Sequence, residues 1–281
     1  MKKFDFGDYI KIITKDKTFE GIYINSPKKD FVILKLNSGY NIGINKEEIK
    51  KIILVKKYSK KTEHKSSGKL QYRKDLPNIS ILKVGGTIVS KIDYKTGAVS
   101  AKISAEELLE NIPELKDIAN ISYRDIASVM SESMRFGHYN LIAKSISEEL
   151  NKNKNIRGII IPHGTDTLHY TSAALSFMLE NIPIPVILVG SQRSSDRGSS
   201  DSFINITCAA KFIAKADFKG VAICMHENMS DNSCLILPAT KTRKIHTSRR
   251  DAFKPINTTA IARVSYREDK IEFLIESYNA F

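Results

Sequence analysis

Cysteine is scarce in this sequence. Cys208, Cys224 and Cys234 are the only three among 281 residues. The count is odd and no CxxC pair occurs, which argues against a disulfide framework and a structural zinc site and predicts a cytosolic protein. Long apolar runs are absent too: none approaches the roughly 18 to 20 residues that a membrane-spanning helix needs. The opening MKKFDFGDYI lacks an apolar segment and carries Asp5 and Asp8, so no cleaved export signal is expected. There is no internal repeat. Outside one polar, basic stretch there is no low-complexity tract.

What is present is an ordinary globular composition, 42% hydrophobic and 27% charged. That is enough apolar material for a core and excludes wholesale disorder. The length suits two domains or one large one. The net charge of +13 is unevenly spread. Residues 1–76 hold 19 Lys+Arg against 9 Asp+Glu, a net of +10, and residues 77–281 hold 25 against 22, a net of +3. A positive field on the first quarter suits an anionic partner such as RNA. It equally suits a lysine-rich surface that serves solubility alone.

Residues 8–57 read as five short strands, YIKIIT, TFEGIYI, FVILKL, YNIGI and KKIILV. They are rich in Ile, Val, Tyr and Phe and are separated by the turn-like KDK, NSPKKD and NSG. Five strands in so few residues predict a small closed or nearly closed β-barrel over 1–57. Residues 58–76 are polar and basic and read as a linker. From Pro77 onward strand-like runs alternate with helical patterns. Ser104-Ala-Glu-Glu107 reads as a capping box opening a helix. The βαβα rhythm over 77–281 predicts an α/β domain with a doubly wound, mostly parallel sheet and helices on both faces.

In such a sheet ligands bind at the carboxyl ends of the strands. Three consecutive ends carry polar clusters. After ISILKV come Gly85-Gly86-Thr87, two glycines that allow a sharp turn and close approach to a ligand. After GIIIP comes His163-Gly164-Thr165-Asp166-Thr167, at a helix start that favours anions. After PVILVG comes Ser191-Gln192-Arg193, opening the loop RSSDRGSSD. Each has a plainer reading. A lone Gly-Gly-Thr is any turn. Thr165 or Asp166 can simply cap the next helix. His163 can be packed, and the serine-rich loop can be surface. Together they point to chemistry. Threonine becomes a nucleophile once a base takes its proton, and Asp166 with a lysine could form that base system. Local spacing does not say which lysine.

LPNISILKVGGTI, GIIIPHGTDT, PVILVGSQR and TRKIHTSRRDAF, in this order, resemble the L-asparaginase family over roughly residues 77–281. The β-rich N-terminal extension, GVAICMHENMSDNSCLILP and KIHTSRRDAF resemble the branch represented by the D subunit of archaeal glutamyl-tRNA(Gln) amidotransferases. The resemblance implies four catalytic residues, Thr87, Thr165, Asp166 and Lys244. It implies that Ser131 and Glu132 of MSESM, with Gly86 and Gly164, grip the substrate's α-amino and α-carboxylate groups. Tyr94 matches a mobile-loop tyrosine, at a short spacing from Thr87. The implied reaction is hydrolysis of a side-chain amide, from glutamine or asparagine, through an acyl-threonine. No metal and no cofactor is expected on this chain. ATP and Mg belong to a partner, the amidotransferase's E subunit, which binds misacylated tRNA(Gln) and receives the ammonia. A homodimer within a heterotetramer is the implied assembly.

Two departures stand out. Val84 occupies a position where the family has a non-nucleophilic threonine, a loss expected to be tolerated. The family also has a second, C-terminal lobe, whereas this sequence runs to ARVSYREDKIEFLIESYNAF. A separate chain supplying that lobe is therefore expected, with little activity without it; the alternative is an incomplete sequence or a decayed copy. Two other functions compete. One is a free-standing asparaginase, against which the N-terminal strands argue. The other is a catalytically silent scaffold for the E subunit or RNA, against which the four catalytic matches argue.

Overall fold

The structure is a computed structural model. It describes residues 4–24, 26, 30–36, 41–57, 72–85, 91–92, 99–100, 108–109, 111–193 and 200–276. The chain divides into two compact units. The predicted linker lies mostly outside the described residues, as do the predicted capping box Ser104–Glu107, Gly86, Thr87 and Tyr94.

The first unit is built on β1 (Tyr9–Thr14), β2 (Thr18–Ile24), β3 (Phe31–Leu36), β4 (Asn41–Asn45) and β5 (Ile49–Lys56). All five predicted strands form. They pair antiparallel in the order β4-β3-β2-β1-β5. Short turns force this pairing. Thr14 closes the first by accepting from the Lys17 N–H on its hydroxyl, at 3.1 Å. Before the 3₁₀ turn Lys46–Glu48, the Asn45 side chain accepts from the Glu47 N–H at 3.1 Å. Alternation puts Ile10 and Ile12 of β1, Val32 and Leu34 of β3 and Ile44 of β4 in one buried cluster. In a flat sheet β4 and β1 would lie about 14 Å apart, three strand spacings. Their sharing one small core means the sheet curls over it. Two register shifts in the β1–β5 ladder assist the bend. Among the described residues no ladder joins β4 to β5. The barrel is therefore open along that edge.

In the second unit the strands are β6 (Asn78–Lys83), β9 (Asn120–Asp125), β10 (Ile156–Pro162), β11 (Pro185–Val189), β12 (Gly220–His226), β13 (Ser233–Pro238), β16 (Ala262–Ser265) and β17 (Ile271–Phe273). They form one sheet in the order β17-β16-β13-β12-β11-β10-β6-β9. A ribbon stands apart from it, β14 (Thr242–Lys244) with β15 (Phe253–Pro255), and a second ribbon, β7 (Lys91–Ile92) with β8 (Val99–Ser100), belongs to the first unit. The helices whose bounds are described include α1 (Phe136–Lys152), α2 (Leu168–Met178) and α3 (Ser202–Lys215).

The five strands from β9 to β12 are mutually parallel. The four inner ones, β6, β10, β11 and β12, are covered on both faces and read as largely apolar runs, whereas the edge strand β9, NISYRD, is mostly half-buried or exposed. Side chains still alternate between two cores. Ile79, Ile81, Ile160, Ile187, Val189 and Ala222 pack with Ile206, Ala210 and Phe212 of α3. Leu82, Ile159, Ile161, Val186, Leu188 and Ile223 pack with Ile142 and Ile146 of α1 and Leu168 and Leu175 of α2. Beyond β12 the sheet turns antiparallel. Only Glu227–Asn232 separate β12 from β13, too few residues for the crossover that a parallel pair requires. Among the described residues no helix is long and apolar enough to cross a membrane.

Candidate active site

The strand order places the site. From β6 the chain crosses to β9 on one side, whereas β10 is followed by β11 on the other. The connections reverse direction between β6 and β10, and the carboxyl ends beside such a switch point are where open α/β sheets bind ligands. There the Val84 N–H donates to the Pro162 carbonyl at 3.3 Å. Gly85 leaves from one side of this point and His163–Thr167 from the other.

The segment that follows β9 is tied into the same place. The Lys83 carbonyl accepts from the Ile126 N–H at 2.8 Å, and the Val84 carbonyl from the Val129 N–H at 3.1 Å. Beside them the buried Lys83 ammonium faces Asp125 at 3.4 Å. A Cβ on Gly85 would lie 2.0 Å from the Val129 carbonyl oxygen, so no side chain fits there. The sequence suggests that this glycine lets the backbone approach a ligand. Its close approach is instead to the chain's own segment leading to Ser131.

Ser131 is buried at the start of a 3₁₀ turn, Ser131–Ser133, with Glu132 exposed beside it. Two contacts lock the turn to the loop after β10. The Thr167 hydroxyl donates to the Ser131 carbonyl at 2.7 Å. Gly164 lies so near that a Cβ there would sit 2.8 Å from Ser131 Oγ. His163 is a supporting residue. Its backbone N–H donates to the Val189 carbonyl at 2.9 Å. Burial holds its ring neutral, with a pKa lowered to about 4. In that form Nδ1–H donates to the Gly164 carbonyl at 2.7 Å and Nε2 accepts from the Thr171 hydroxyl at 2.9 Å. The packed, hydrogen-bonded alternative for His163 is the one observed.

Thr165 and Asp166 do not cap α2. Its N-cap is Thr167, and no side chain makes a cap bond there. Both side chains turn instead to Lys244, at the end of β14. Lys244 Nζ donates to Thr165 Oγ1 at 2.8 Å and to Asp166 Oδ1 at 2.8 Å. The lysine side chain is 10% exposed and the aspartate 62%. The carboxylate also sits at the helix's amino end, where the dipole favours negative charge. A hydroxyl, an amine and a carboxylate thus touch in series, which is the wiring that proton removal from a threonine needs.

The polar cluster after β11 is organised by two residues whose sequence contexts read as a surface loop and a helix. Asp201 and Asn205 are fully buried, and the Asp201 carboxylate accepts from Ser191 Oγ, the Gln192 N–H and the Arg193 N–H. An aspartate just before an apolar helix reads from sequence as a cap, so no local signal reveals its burial. Thr167, which holds Ser131, is likewise inconspicuous beside the more reactive-looking Thr165. The three thiols are buried in the α3–sheet core, away from solvent.

The chain is similar to known proteins over both units. Residues 78–278 match the family described as Asparaginase, N-terminal, and residues 4–55 match the GatD N-terminal domain. The D subunit of glutamyl-tRNA(Gln) amidotransferase from Pyrococcus furiosus is 45% identical over 99% of this chain and 64% of its own length. The Thermococcus kodakarensis protein of that name is 44% identical over 97% of this chain and 62% of its own. The chain thus spans a little under two thirds of the curated relatives it matches. Among solved structures, the thermostable L-asparaginase from Thermococcus kodakarensis superposes with a TM-score of 0.62 at 32% identity, over 72% of this chain and 57% of that one. A probable cytoplasmic L-asparaginase from Campylobacter jejuni gives 0.58 at 28% identity, over 73% and 58%.

Proposed function

We propose that this chain, which belongs to the asparaginase family, releases ammonia from glutamine for the tRNA-dependent conversion of misacylated Glu-tRNA(Gln) to Gln-tRNA(Gln). The observation that carries the proposal is the Lys244–Thr165–Asp166 contact at the switch point of the sheet. The likeness to amidotransferase proteins along nearly the whole chain supports that setting over a free-standing asparaginase. So does the N-terminal unit, which matches a domain of its own.

In the proposed reaction a threonine hydroxyl, from Thr87 or Thr165, attacks the side-chain carbonyl carbon of glutamine. Its proton passes to the Lys244 amine, which Asp166 orients and whose charge Asp166 balances. The tetrahedral intermediate expels the amide nitrogen, which leaves as ammonia after taking up a proton. Water then cleaves the acyl-threonine ester, releasing glutamate and restoring the hydroxyl. Ser131, Glu132, Gly86 and Gly164 hold the α-amino and α-carboxylate groups, and Tyr94 is a further substrate-binding residue. Nucleophile and base both come from side chains, so this chain's part needs no bound cofactor. ATP and Mg act in the amidotransferase's E subunit, the partner that carries the tRNA and accepts the ammonia. The working assembly is a homodimer of this chain within a cytoplasmic heterotetramer.

The test is ammonia release from glutamine and from asparagine, with and without the tRNA-binding partner and misacylated tRNA. Release from glutamine that rises with the partner and its tRNA is expected. Partner-independent turnover that favours asparagine would point to a free-standing asparaginase. No turnover under any of these conditions would point to a scaffold.

A further inference from the structure

We infer that Gln192 is a positioning residue that sets the contact between Lys244 and Thr165, and that buried Asp201 holds Gln192 in place for it. The inference rests on the amide-hydrolysis reading of the same site.

Thr165 and Lys244 come from structures with little in common. Thr165 follows the end of β10, inside the sheet. Lys244 ends the two-stranded β14–β15 ribbon, which forms no ladder with that sheet among the described residues. A 2.8 Å bond between them requires the ribbon to be held from outside its own pairing. Gln192 is placed to do so. β11 is the parallel neighbour of β10, with Val189 opposite Pro162, so Gln192 and Thr165 leave adjacent strand ends three residues on from that pair. The Gln192 side-chain amide spans to the ribbon's loop. Nε2 donates to the Arg249 carbonyl at 2.9 Å and, more weakly, to the His246 carbonyl at 3.5 Å.

Both ends of this strut are stiff. On the ribbon side, His246 Nδ1 accepts from the Ser248 N–H at 3.1 Å and the Arg249 N–H at 3.2 Å, and the Ile245 N–H donates to the Ala252 carbonyl at 2.8 Å. The loop following Lys244 is thereby closed on itself. On the sheet side, Asp201 is 0% exposed. One carboxylate oxygen accepts from the Gln192 N–H at 3.0 Å and from Asn205 Nδ2 at 3.3 Å. The other accepts from Ser191 Oγ at 2.9 Å and the Arg193 N–H at 2.9 Å. Asn205 Nδ2 also donates to the Gly190 carbonyl at 2.9 Å. Four consecutive residues, Gly190 to Arg193, are thus pinned to the amino end of α3. A buried carboxylate with this many donors is costly to disturb, which makes it a firm anchor.

The strut works only in one chemical sense. Both acceptors are carbonyls, so the side chain at 192 must donate. Glutamic acid has the same shape but, when ionised, accepts only. The test uses Gln192→Leu and Gln192→Glu in the full chain, with its partner where turnover requires it. Three quantities are read: kcat and KM for glutamine, the pH–rate profile, and the rate at which acetic anhydride acetylates Lys244, located by mass spectrometry. Exposed Lys219 serves as the internal reference. In both variants kcat is expected to fall on the order of 10- to 100-fold, the cost of a misplacement near 1 Å, with KM nearly unchanged. The acidic limb of the pH profile, where a general base takes up its proton, should shift, and Lys244 acetylation should rise severalfold against Lys219. A role in stability alone would lower the melting temperature and leave these three readings unmoved, which would overturn the inference. A raised KM with unchanged kcat would overturn it too. If the wild-type chain releases no ammonia, the functional reading fails, yet Lys244 reactivity still decides whether Gln192 holds the ribbon.

Discussion

Lys244 and Thr165 lie 79 residues apart in sequence and are joined by a 2.8 Å hydrogen bond. The amine is nearly withdrawn from water while its second partner, Asp166, remains mostly solvated. Removing the lysine therefore strands little charge in the interior, and chemistry and stability can be separated at this position.

For Lys244→Ala, glutamine hydrolysis is expected to fall on the order of 10² to 10⁴-fold, the usual loss with a general base. The melting temperature should change little, because Asp166 is exposed and an exposed ion pair contributes about 1 kcal/mol or less. The ribbon keeps its own bonds, including Thr242 Oγ1 to the Pro238 carbonyl. Ammonia release and thermal melts on the same preparation check this. Full activity with an unchanged fold would remove Lys244 from the mechanism.

Thr87→Val and Thr165→Val should each abolish turnover. A reactive glutamine analogue should label a threonine in the wild-type chain, with the adduct located by mass spectrometry. The rival nucleophiles are poorly placed: Cys208, Cys224 and Cys234 are all buried, and burial raises the Cys224 and Cys234 thiols above their ordinary range. Thiolate, not thiol, is the reactive form. An adduct on any of the three would overturn the threonine mechanism.

His163 makes stability depend on pH. Its folded pKa, near 4, lies below the unfolded value near 6.5. Between those values the unfolded chain binds a proton that the folded chain does not, so stability falls as pH drops from about 6.5 to 4 and levels off below. The loss from this one group is on the order of 3 kcal/mol. His169 and His226 are also lowered by burial and add in the same direction. Urea titrations at a series of pH values should show the slope, and His163→Asn should flatten it. An equally steep slope in that variant would mean the ring is not held neutral.

Deleting residues 1–70 should spare basal hydrolysis, since every described member of the candidate site belongs to the second unit. Coupling to the tRNA-loaded partner should weaken. If the +10 charge of residues 1–76 meets RNA, the contribution lost on deletion should itself shrink as salt is added. A contribution that ignores salt would indicate contact with protein instead.

Much of the fold was legible because burial imposes a period. Alternation marked the five strands of the first unit, and unbroken apolar runs such as PVILV marked strands covered on both faces. The candidate site was legible at the level of motif, since His163–Thr167 and Ser131-Glu132 are each contiguous. Less was visible where one residue type serves several ends. Thr165 and Asp166 looked equally like helix caps, and only the direction of their side chains separated the two uses. Gly85 looked like room for a ligand and proved to be room for Val129.

The sequence by itself determined the local elements, the reversal of strand direction after β12 and the residue types available for chemistry. These follow from short-range sterics, from chain length between elements and from which side chains can be buried. Only the tertiary structure decided which lysine meets Thr165, that Asp201 is an anchor and not a surface group, and that the segments after β6, β9 and β10 meet at one point. Each of those depends on strand order. A sheet brings together residues that are tens of positions apart, and nothing in the local spacing of any one of them records which neighbour the sheet will supply.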